Sequence, residues 1–208
     1  MTAGNLPRRR DALRALTALP ALCAMSAFAA WPAIGAAGPA TATLPGDSVY
    51  RLPAELQDQD GRAFALSSLQ GGPVLASMFY TSCDKVCPMI FETLHATLRA
   101  LPPAERANAR VLMVSFDPER DSVAVLKKTA QQRACDDRWL LARADAGTTR
   151  KVSAALGVQY RRLSDGEFNH SSTISVLDPA GRIVAKTGKL GTVDPQVTAA
   201  IHKMATKG

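Results

Sequence analysis

The chain alternates between unbroken apolar runs and segments in which apolar residues recur every three or four positions. Residues 72–80 form a largely unbroken apolar run, and residues 111–116 form a second one. Such runs are typical of strands in a sheet that is covered on both faces. In residues 89–101 the apolar side chains recur at three- and four-residue steps, which predicts a helix. Pro102 and Pro103 follow it and are expected to end it.

Three further helices are predicted downstream, at residues 121–133, 148–156 and 195–204. Asp121 and Ser122 offer N-cap side chains for the first of these helices. Gly157 provides a C-terminal stop for the second. Each of these helices follows an apolar strand or a turn, so the pattern indicates a chain in which strands and helices alternate.

Two hairpins are predicted, one near the start of the domain and one near its end. Residues 49–52 and 62–65 lie on either side of the turn signal at 59–61, which predicts an N-terminal hairpin. A closing hairpin is predicted from strands 173–177 and 183–186. The order of elements therefore predicts an α/β, thioredoxin-like fold. It has a central mixed sheet flanked by helices, with one hairpin before the sheet and one closing it.

The first 42 residues have the pattern of an export signal followed by the start of a linker. Arg8-Arg9-Arg10 precede an Ala/Leu-rich stretch at residues 12–30, and small residues follow. The arginines are also typical of a twin-arginine signal. An ordinary Sec signal with an incidental arginine cluster is the alternative. We therefore expect a periplasmic protein with a single thioredoxin-like domain at residues 43–208.

A retained membrane anchor is less favoured than a cleaved signal. Pro20 and Pro32 interrupt the apolar stretch, whereas a spanning helix needs roughly 20 apolar residues in succession. A location near the membrane remains compatible with the sequence. Cys23 lies inside the stretch, and Leu22 before it is too large for a lipoprotein site. We expect Cys23 to be removed with the signal.

Length and charge narrow the range of functions. The chain has 208 residues and a net charge of +7, but four of its arginines lie in the signal. The remaining chain is therefore less basic, and it has no Lys/Arg run interleaved with aromatic residues. Nucleic-acid binding is not expected. The length of the mature chain suffices for one domain with a sizeable core.

Two cysteines four residues apart follow directly on the first apolar run. Cys83 and Cys87 stand at the start of the predicted helix, with Pro88 in a position that suits a first helical turn. If both cysteines were helical, their side chains would lie on one face and could converge on one ion. The helix N-terminus lowers thiol pKa values, and Lys85 is expected to add to that effect.

Two thiolates are soft ligands that suit Cu(I) or Zn(II), and a third ligand is expected from elsewhere in the chain. His170 is the best placed histidine, because we expect it in a loop just before the closing hairpin. His95, in the predicted helix, and His202, in the last helix, are less favoured. Cys135 is expected to be a small buried apolar residue and not a ligand.

The segment Asp117-Pro118-Glu119-Arg120-Asp121 follows the second buried strand, at the end of a sheet where ligand sites gather. Two interpretations stand equally. In the first, Asp121 caps a helix and Arg120 pairs with an acid. In the second, Asp117 lies near the thiols or on a surface where a partner docks.

Taken together, these motifs resemble the Sco/SenC family of copper-binding assembly proteins. The resemblance covers roughly residues 47–205 and is carried by four features: F-Y-T-S-C-D-K-V-C-P at 79–88, S-F-D-P-E-R-D at 115–121, His170 before an apolar strand, and D-P-A-G-R at 178–182.

The resemblance implies a thioredoxin-like fold that binds one copper ion, as Cu(I), Cu(II) or both, through Cys83, Cys87 and His170. It implies a metallochaperone that assists assembly of the binuclear copper site of cytochrome c oxidase. The partner would be the copper-site subunit of the oxidase or another copper or thiol protein. Asp117 is carried over without a settled role.

The alternative is an enzyme, a periplasmic thiol–disulfide reductase in which Cys83 and Cys87 are redox thiols. It would act on copper-site cysteines or in redox and copper homeostasis. The cysteine spacing, one residue longer than C-x-x-C, and the presence of His170 favour the chaperone over the enzyme. A peroxidase is disfavoured, because Tyr80 and Thr81 do not match the T-x-x-C spacing of peroxiredoxin sites.

Overall fold

A five-stranded mixed sheet organises residues 43–206, the part of the chain that this computed structural model describes. The strands are β1 (Glu55–Gln57), β2 (Ala63–Ala65), β3 (Val74–Phe79), β4 (Arg110–Ser115), β5 (Trp139–Ala142), β6 (Tyr160–Arg162), β7 (Phe168–His170), β8 (Ile174–Leu177) and β9 (Ile183–Thr187). The helices are α1 (Val86–Ala100), α2 (Pro103–Asn108), α3 (Val123–Gln132), α4 (Ala146–Leu156) and α5 (Pro195–Ala205).

The central sheet has the strand order β5-β4-β3-β8-β9. Strands β3, β4 and β5 are parallel, whereas β8 and β9 run antiparallel to their neighbours. Strand β3 is buried at all six positions, as an apolar strand between two helical layers should be. This mixed sheet with flanking helices and a closing hairpin confirms the predicted thioredoxin-like class.

The register of β3 and β4 decides where the functional segments emerge. The pairing runs from Val74 opposite Arg110 to Phe79 opposite Ser115. Because the two strands are parallel and end side by side, the cysteine segment after β3 and the acidic segment after β4 leave the sheet at the same edge. Carboxyl edges of this kind are where open α/β sheets place their ligand sites.

Helix α1 packs its apolar face onto the sheet and joins the core. Phe91 stacks on Trp139 with a centroid distance of 5.7 Å, and its ring meets Phe79 edge-on at 5.6 Å. Ile90 and Leu94 are fully buried beside them. The start of α1, which carries the cysteines, is therefore fixed to the sheet by the packing of the turns that follow it.

The fold differs from the prediction in one element, and it contains others that were not predicted. Residues 49–52 are not a strand: Val49–Arg51 form a 3₁₀ turn, and the first strand of the hairpin is β1. The hydroxyl of Ser48 accepts the Tyr50 N–H at 3.1 Å and donates to the Ala180 carbonyl at 2.6 Å, which fastens this turn to the closing hairpin. Strand β5 and the β6–β7 hairpin were not predicted. The β6–β7 hairpin places His170 in a strand and not in a loop.

The predicted export signal and Cys23 lie outside the described residues. Within residues 43–206, no helix has both the length and the apolar character needed to cross a membrane.

Candidate metal centre

The first cysteine precedes helix α1 and the second lies in its first turn. Helix α1 begins at Val86, so Cys87 is helical and Cys83 is not, and the two cysteines lie at the helix N-terminus as predicted. The Cys83 N–H donates to the Tyr80 carbonyl at 3.3 Å, forming a turn, and the Cys87 N–H donates to the Cys83 sulfur at 3.3 Å. Free N–H groups at a helix start need acceptors, and the Cys83 sulfur serves as one. Pro88 occupies the first turn, where its missing N–H costs nothing.

His170 lies at the end of strand β7 and not in a loop as predicted. Strands β6 and β7 form a separate two-stranded sheet in which Tyr160 faces His170. The ring is half-buried, and its Nδ1 lies 3.4 Å from the Ser171 carbonyl oxygen. The candidate donor atoms of Cys83, Cys87 and His170 all lie within 4.8 Å of one another, so these three residues could hold a metal ion.

Aromatic rings pack against the imidazole of His170. Phe116 lies 5.0 Å from His170 between ring centres, and Tyr80 meets it edge-on at 5.9 Å. Phe168 contacts both of these rings, at 5.0 and 5.2 Å. The cluster orients the imidazole and shields it from water. Sequence reasoning did not identify these residues as part of the site, although Tyr80 and Phe116 lie within the quoted motifs.

The two thiols have opposite electrostatic settings. Burial works against ionisation of Cys83, but hydrogen bonds from Cys87 and from the backbone N–H groups of Lys85 and Val86 lower the pKa of its thiol. Burial raises the pKa of Cys87, and a hydrogen bond with the Tyr80 backbone offsets only part of that effect. Lys85 contributes through its backbone, since its side chain is exposed.

The half-buried position of His170 also changes the pKa of its imidazole. It lowers the pKa of His170, and the neighbouring Ser171 carbonyl opposes this only partly. The neutral form, which has a nitrogen lone pair free for a metal, is therefore favoured at neutral pH.

Asp121 does not cap a helix, contrary to one of the two interpretations of its segment. Ser122 is the N-cap of α3 and accepts the Val125 N–H at 3.3 Å. The carboxylate of Asp121 is fully buried and accepts hydrogen bonds from the Thr81 N–H at 3.1 Å, from the Thr81 hydroxyl and, at 2.5 Å, from the Ser115 hydroxyl. Asp121 thus ties the cysteine segment to the end of β4. Burial raises its pKa, and these hydrogen bonds oppose that.

Arg120 pairs with an acid, as the first of the two interpretations holds, and the acid is Asp117. Asp117 is buried, and its backbone N–H donates to the Ser115 hydroxyl at 3.0 Å. The same guanidinium donates from Nη2 to the Gly166 carbonyl at 2.7 Å, at the tip of the β6–β7 hairpin. The carboxylate of Asp117 therefore binds Arg120, and this pair connects the acidic segment to the hairpin that carries His170.

The remaining candidates lie apart from the cluster. The Nε2 atom of His95 lies 2.8 Å from the Arg133 carbonyl, and its ring is 4.5 Å from that of Trp139. His202 pairs with Glu105 at 2.5 Å. Cys135 packs against the core, and burial raises its pKa to about 12.

Comparisons with known proteins converge on one family. The family model described as SCO1/SenC matches residues 45–206. The structure of Bradyrhizobium japonicum ScoI with copper bound is similar, with 28% identity, a TM-score of 0.63, and coverage of 73% of this chain and 97% of that chain.

Two further similarities agree with that match. BsSco, a member of the Sco family of cytochrome c oxidase assembly proteins in which a disulfide switch was identified, shares the fold at 23% identity. Its TM-score is 0.63, with coverage of 75% of this chain and 93% of that chain. The SCO1 protein homolog of Bacillus subtilis is 39% identical over 89 residues, which are 42% of this chain and 45% of that protein. The chain thus matches less than half the length of this curated relative.

Proposed function

The chain belongs to the SCO1/SenC family, and we propose that it is an exported metallochaperone whose cargo is one copper ion held by Cys83, Cys87 and His170. The observation that carries the proposal is the convergence of two sulfur atoms and one imidazole nitrogen within 4.8 Å. Thiolates select soft metals, and imidazole also suits copper, whereas carboxylate and carbonyl oxygens would suit magnesium or calcium. The copper-bound relative supports copper as the cargo.

The protonation states of the three donors fit this cargo. Hydrogen bonds that oppose the effect of burial lower the pKa of Cys83, which favours a thiolate. A proton on Nδ1 of His170, directed at the Ser171 carbonyl, leaves Nε2 free as the ligand atom. Burial keeps Cys87 protonated in the free protein. Loading with copper should therefore displace a proton from Cys87, and affinity should rise with pH.

The proposed recipient is the copper-site subunit of cytochrome c oxidase, in the periplasm. Two observations support this: BsSco, which shares the fold, belongs to a family of oxidase assembly proteins, and the first 42 residues have the pattern of an export signal. Transfer would proceed by ligand exchange with the recipient's cysteines. His170 is the most exposed of the three donors and the first that an incoming ligand would meet.

Anaerobic titration of the reduced protein with Cu(I) tests the proposal. We expect one copper ion per chain, and at least about tenfold weaker binding in Cys83→Ser, Cys87→Ser and His170→Ala, because each change removes a donor. Cys135→Ser is the matched control and should bind as tightly as the wild type. Wild-type affinity in His170→Ala would refute the three-ligand site. Lack of transfer to a reduced oxidase copper-site fragment would refute the chaperone role.

A second function, thiol–disulfide reduction, is favoured by one specific observation. The pKa of Cys83 is lowered, despite burial, by hydrogen bonds and that of Cys87 is raised by burial. Such an asymmetric pair suits a nucleophile and a resolving thiol. The Cys83 thiolate would attack a substrate disulfide, and Cys87 would then resolve the mixed disulfide. A Cys83–Cys87 disulfide and two substrate thiols result. Reduction of an oxidised copper-site fragment by His170→Ala at the wild-type rate would support this function, and inactivity would exclude it.

A further inference from the structure

The hairpin that carries His170 depends on contacts outside itself. Strands β6 and β7 have three residues each and form a sheet separate from the central one. An isolated two-stranded hairpin is marginally stable in water at best. Something else must therefore hold His170 at its distance from the cysteines.

Three polar contacts link this hairpin to the rest of the fold. The Tyr80 hydroxyl donates to the Glu167 carboxylate at 2.7 Å, Arg162 pairs with the exposed Glu119, and Arg120 connects the hairpin to a buried acid.

The Arg120 guanidinium pairs with the buried Asp117 carboxylate and donates to the Gly166 carbonyl at 2.7 Å. It also lies over the Phe168 ring, 5.9 Å from the ring centre, and 3.9 Å from the carboxylate of Glu167. A planar guanidinium can satisfy two such acceptors at once in a fixed geometry.

The cysteine segment is held by a different anchor. Thr81 is bound by Asp121, and Cys87 is fixed by helix α1. None of these contacts involves Arg120. The two halves of the metal centre are thus attached to adjacent residues of one short segment, the cysteines through Asp121 and the imidazole through Arg120.

We propose that Arg120 is a positioning residue that determines whether His170 joins the two cysteines as a third ligand. With Arg120 in place the site is a three-ligand copper site. Without it, Cys83 and Cys87 remain a competent dithiol, but only the aromatic cluster and the Tyr80–Glu167 hydrogen bond still hold the imidazole beside them, so its position is less well defined. This inference rests on the proposed copper-binding function. It means that Arg120, by positioning His170, raises the copper affinity of the site without changing the two thiols.

Arg162 offers a matched control on the same hairpin. Its guanidinium also lies 5.9 Å from the centre of the Phe168 ring, and it pairs with Glu119 at 3.0 Å. Both members of that pair are exposed, so water and salt weaken it. Arg162→Ala therefore removes the same type of side chain from the same ring without removing a link to a buried acid.

The test separates metal affinity from dithiol chemistry in the purified protein. Cu(I) affinity is measured anaerobically by competition with bathocuproine disulfonate. The ratio of Cys83–Cys87 disulfide to dithiol is measured in glutathione buffers, where each disulfide formed consumes one glutathione disulfide and releases two glutathione thiols. Arg120→Ala should weaken copper binding by about 10- to 100-fold and shift the glutathione ratio by less than about twofold. Arg162→Ala should change neither quantity.

A double-mutant cycle shows whether Arg120 acts through the imidazole. In a His170→Ala background, Arg120→Ala should weaken copper binding by less than about twofold, because the ligand that it positions is already absent. A merely structural role would lower affinity in both backgrounds alike. Thermal unfolding of each variant is recorded, and Arg120→Lys, which keeps the charge but lacks the planar fork, should give an intermediate affinity.

Two results would overturn the proposal. One is wild-type copper affinity in Arg120→Ala beside a weakened His170→Ala. The other is an equal loss from Arg120→Ala with and without His170. Wild-type affinity in His170→Ala itself would instead refute the three-ligand site of the proposed function, so the two failures are distinguishable.

Discussion

Replacing Asp121 with alanine should destabilise the whole domain, because its carboxylate joins two segments at the sheet edge. Asp121 is fully buried and accepts hydrogen bonds from the Thr81 N–H, the Thr81 hydroxyl and the Ser115 hydroxyl. Ser115 is itself fully buried, so its hydroxyl has no access to water as an alternative partner.

The magnitude follows from the donors left behind. A buried donor that loses its acceptor costs about 1–3 kcal/mol. Asp121→Ala leaves three donors without this acceptor: the fully buried Ser115 hydroxyl, for which this cost applies in full, and the N–H and hydroxyl of the half-buried Thr81, which can partly bond to water instead. The change also removes a carboxylate whose pKa is raised by burial, which returns part of that cost. We expect a net loss of about 2–4 kcal/mol in the free energy of unfolding.

Urea unfolding of the reduced, copper-free protein, followed by circular dichroism, measures this loss. With a denaturant slope near 2 kcal/mol per molar, the midpoint should fall by about 1–2 M. Asp121→Asn is the matched control: its amide keeps one acceptor and the shape of the side chain, so it should lose less than half as much stability. Equal stability of Asp121→Ala and the wild type would refute the assignment of Asp121 as a buried anchor.

Two other predictions use the thiols and a glycine. Iodoacetamide should modify Cys83 at lower pH than Cys135, because hydrogen bonds lower the pKa of Cys83 despite its burial, whereas burial raises that of Cys135 to about 12. Peptide mapping at a series of pH values measures this, and coincident pH profiles would contradict it. Gly181→Ala should lower the thermal midpoint by about 5–15 °C, since Gly181 has a φ of +82° and a Cβ there would lie 2.4 Å from Cδ2 of Tyr50. Gly46→Ala, with no atom within 4 Å of its Cβ, should leave the midpoint unchanged.

The elements that could be predicted are those whose structure is determined by the residues within them. Strand β3 is a largely unbroken apolar run because both of its faces are buried, and the buried residues of helix α1 recur at helical spacing. The cysteine pair could be located for the same reason, since it falls between these two elements. His170 could be proposed as a third ligand from the chemistry of soft metals, its place before the closing hairpin and the family resemblance, but its element was predicted wrongly.

The rest could not be predicted because it depends on contacts distant in sequence. The β6–β7 hairpin has strands of three residues, two of them the charged Arg161 and Arg162, so no apolar period reveals it. Its position depends on Tyr80 and Phe116, which precede it by tens of residues. The role of Asp121 also depends on a contact distant in sequence, since the Thr81 that it binds lies 40 residues earlier. From the local sequence alone, Asp121 could be interpreted only as an N-cap of the helix that follows it.

This division explains how one site can be suited to both copper and thiol chemistry. The cysteines are held by the central sheet and helix α1. Cys87 is buried in the first turn of α1, and its N–H donates to the Cys83 sulfur. The imidazole belongs to a marginal hairpin held by aromatic packing and by Arg120. A change in the hairpin therefore alters metal affinity while leaving the two sulfurs in place, whereas a change near Asp121 alters both. Tyr80 contacts both parts of the site, but Arg120 and Asp121 each bind one of them, so we expect substitution of Arg120 to change the copper affinity more than the dithiol equilibrium.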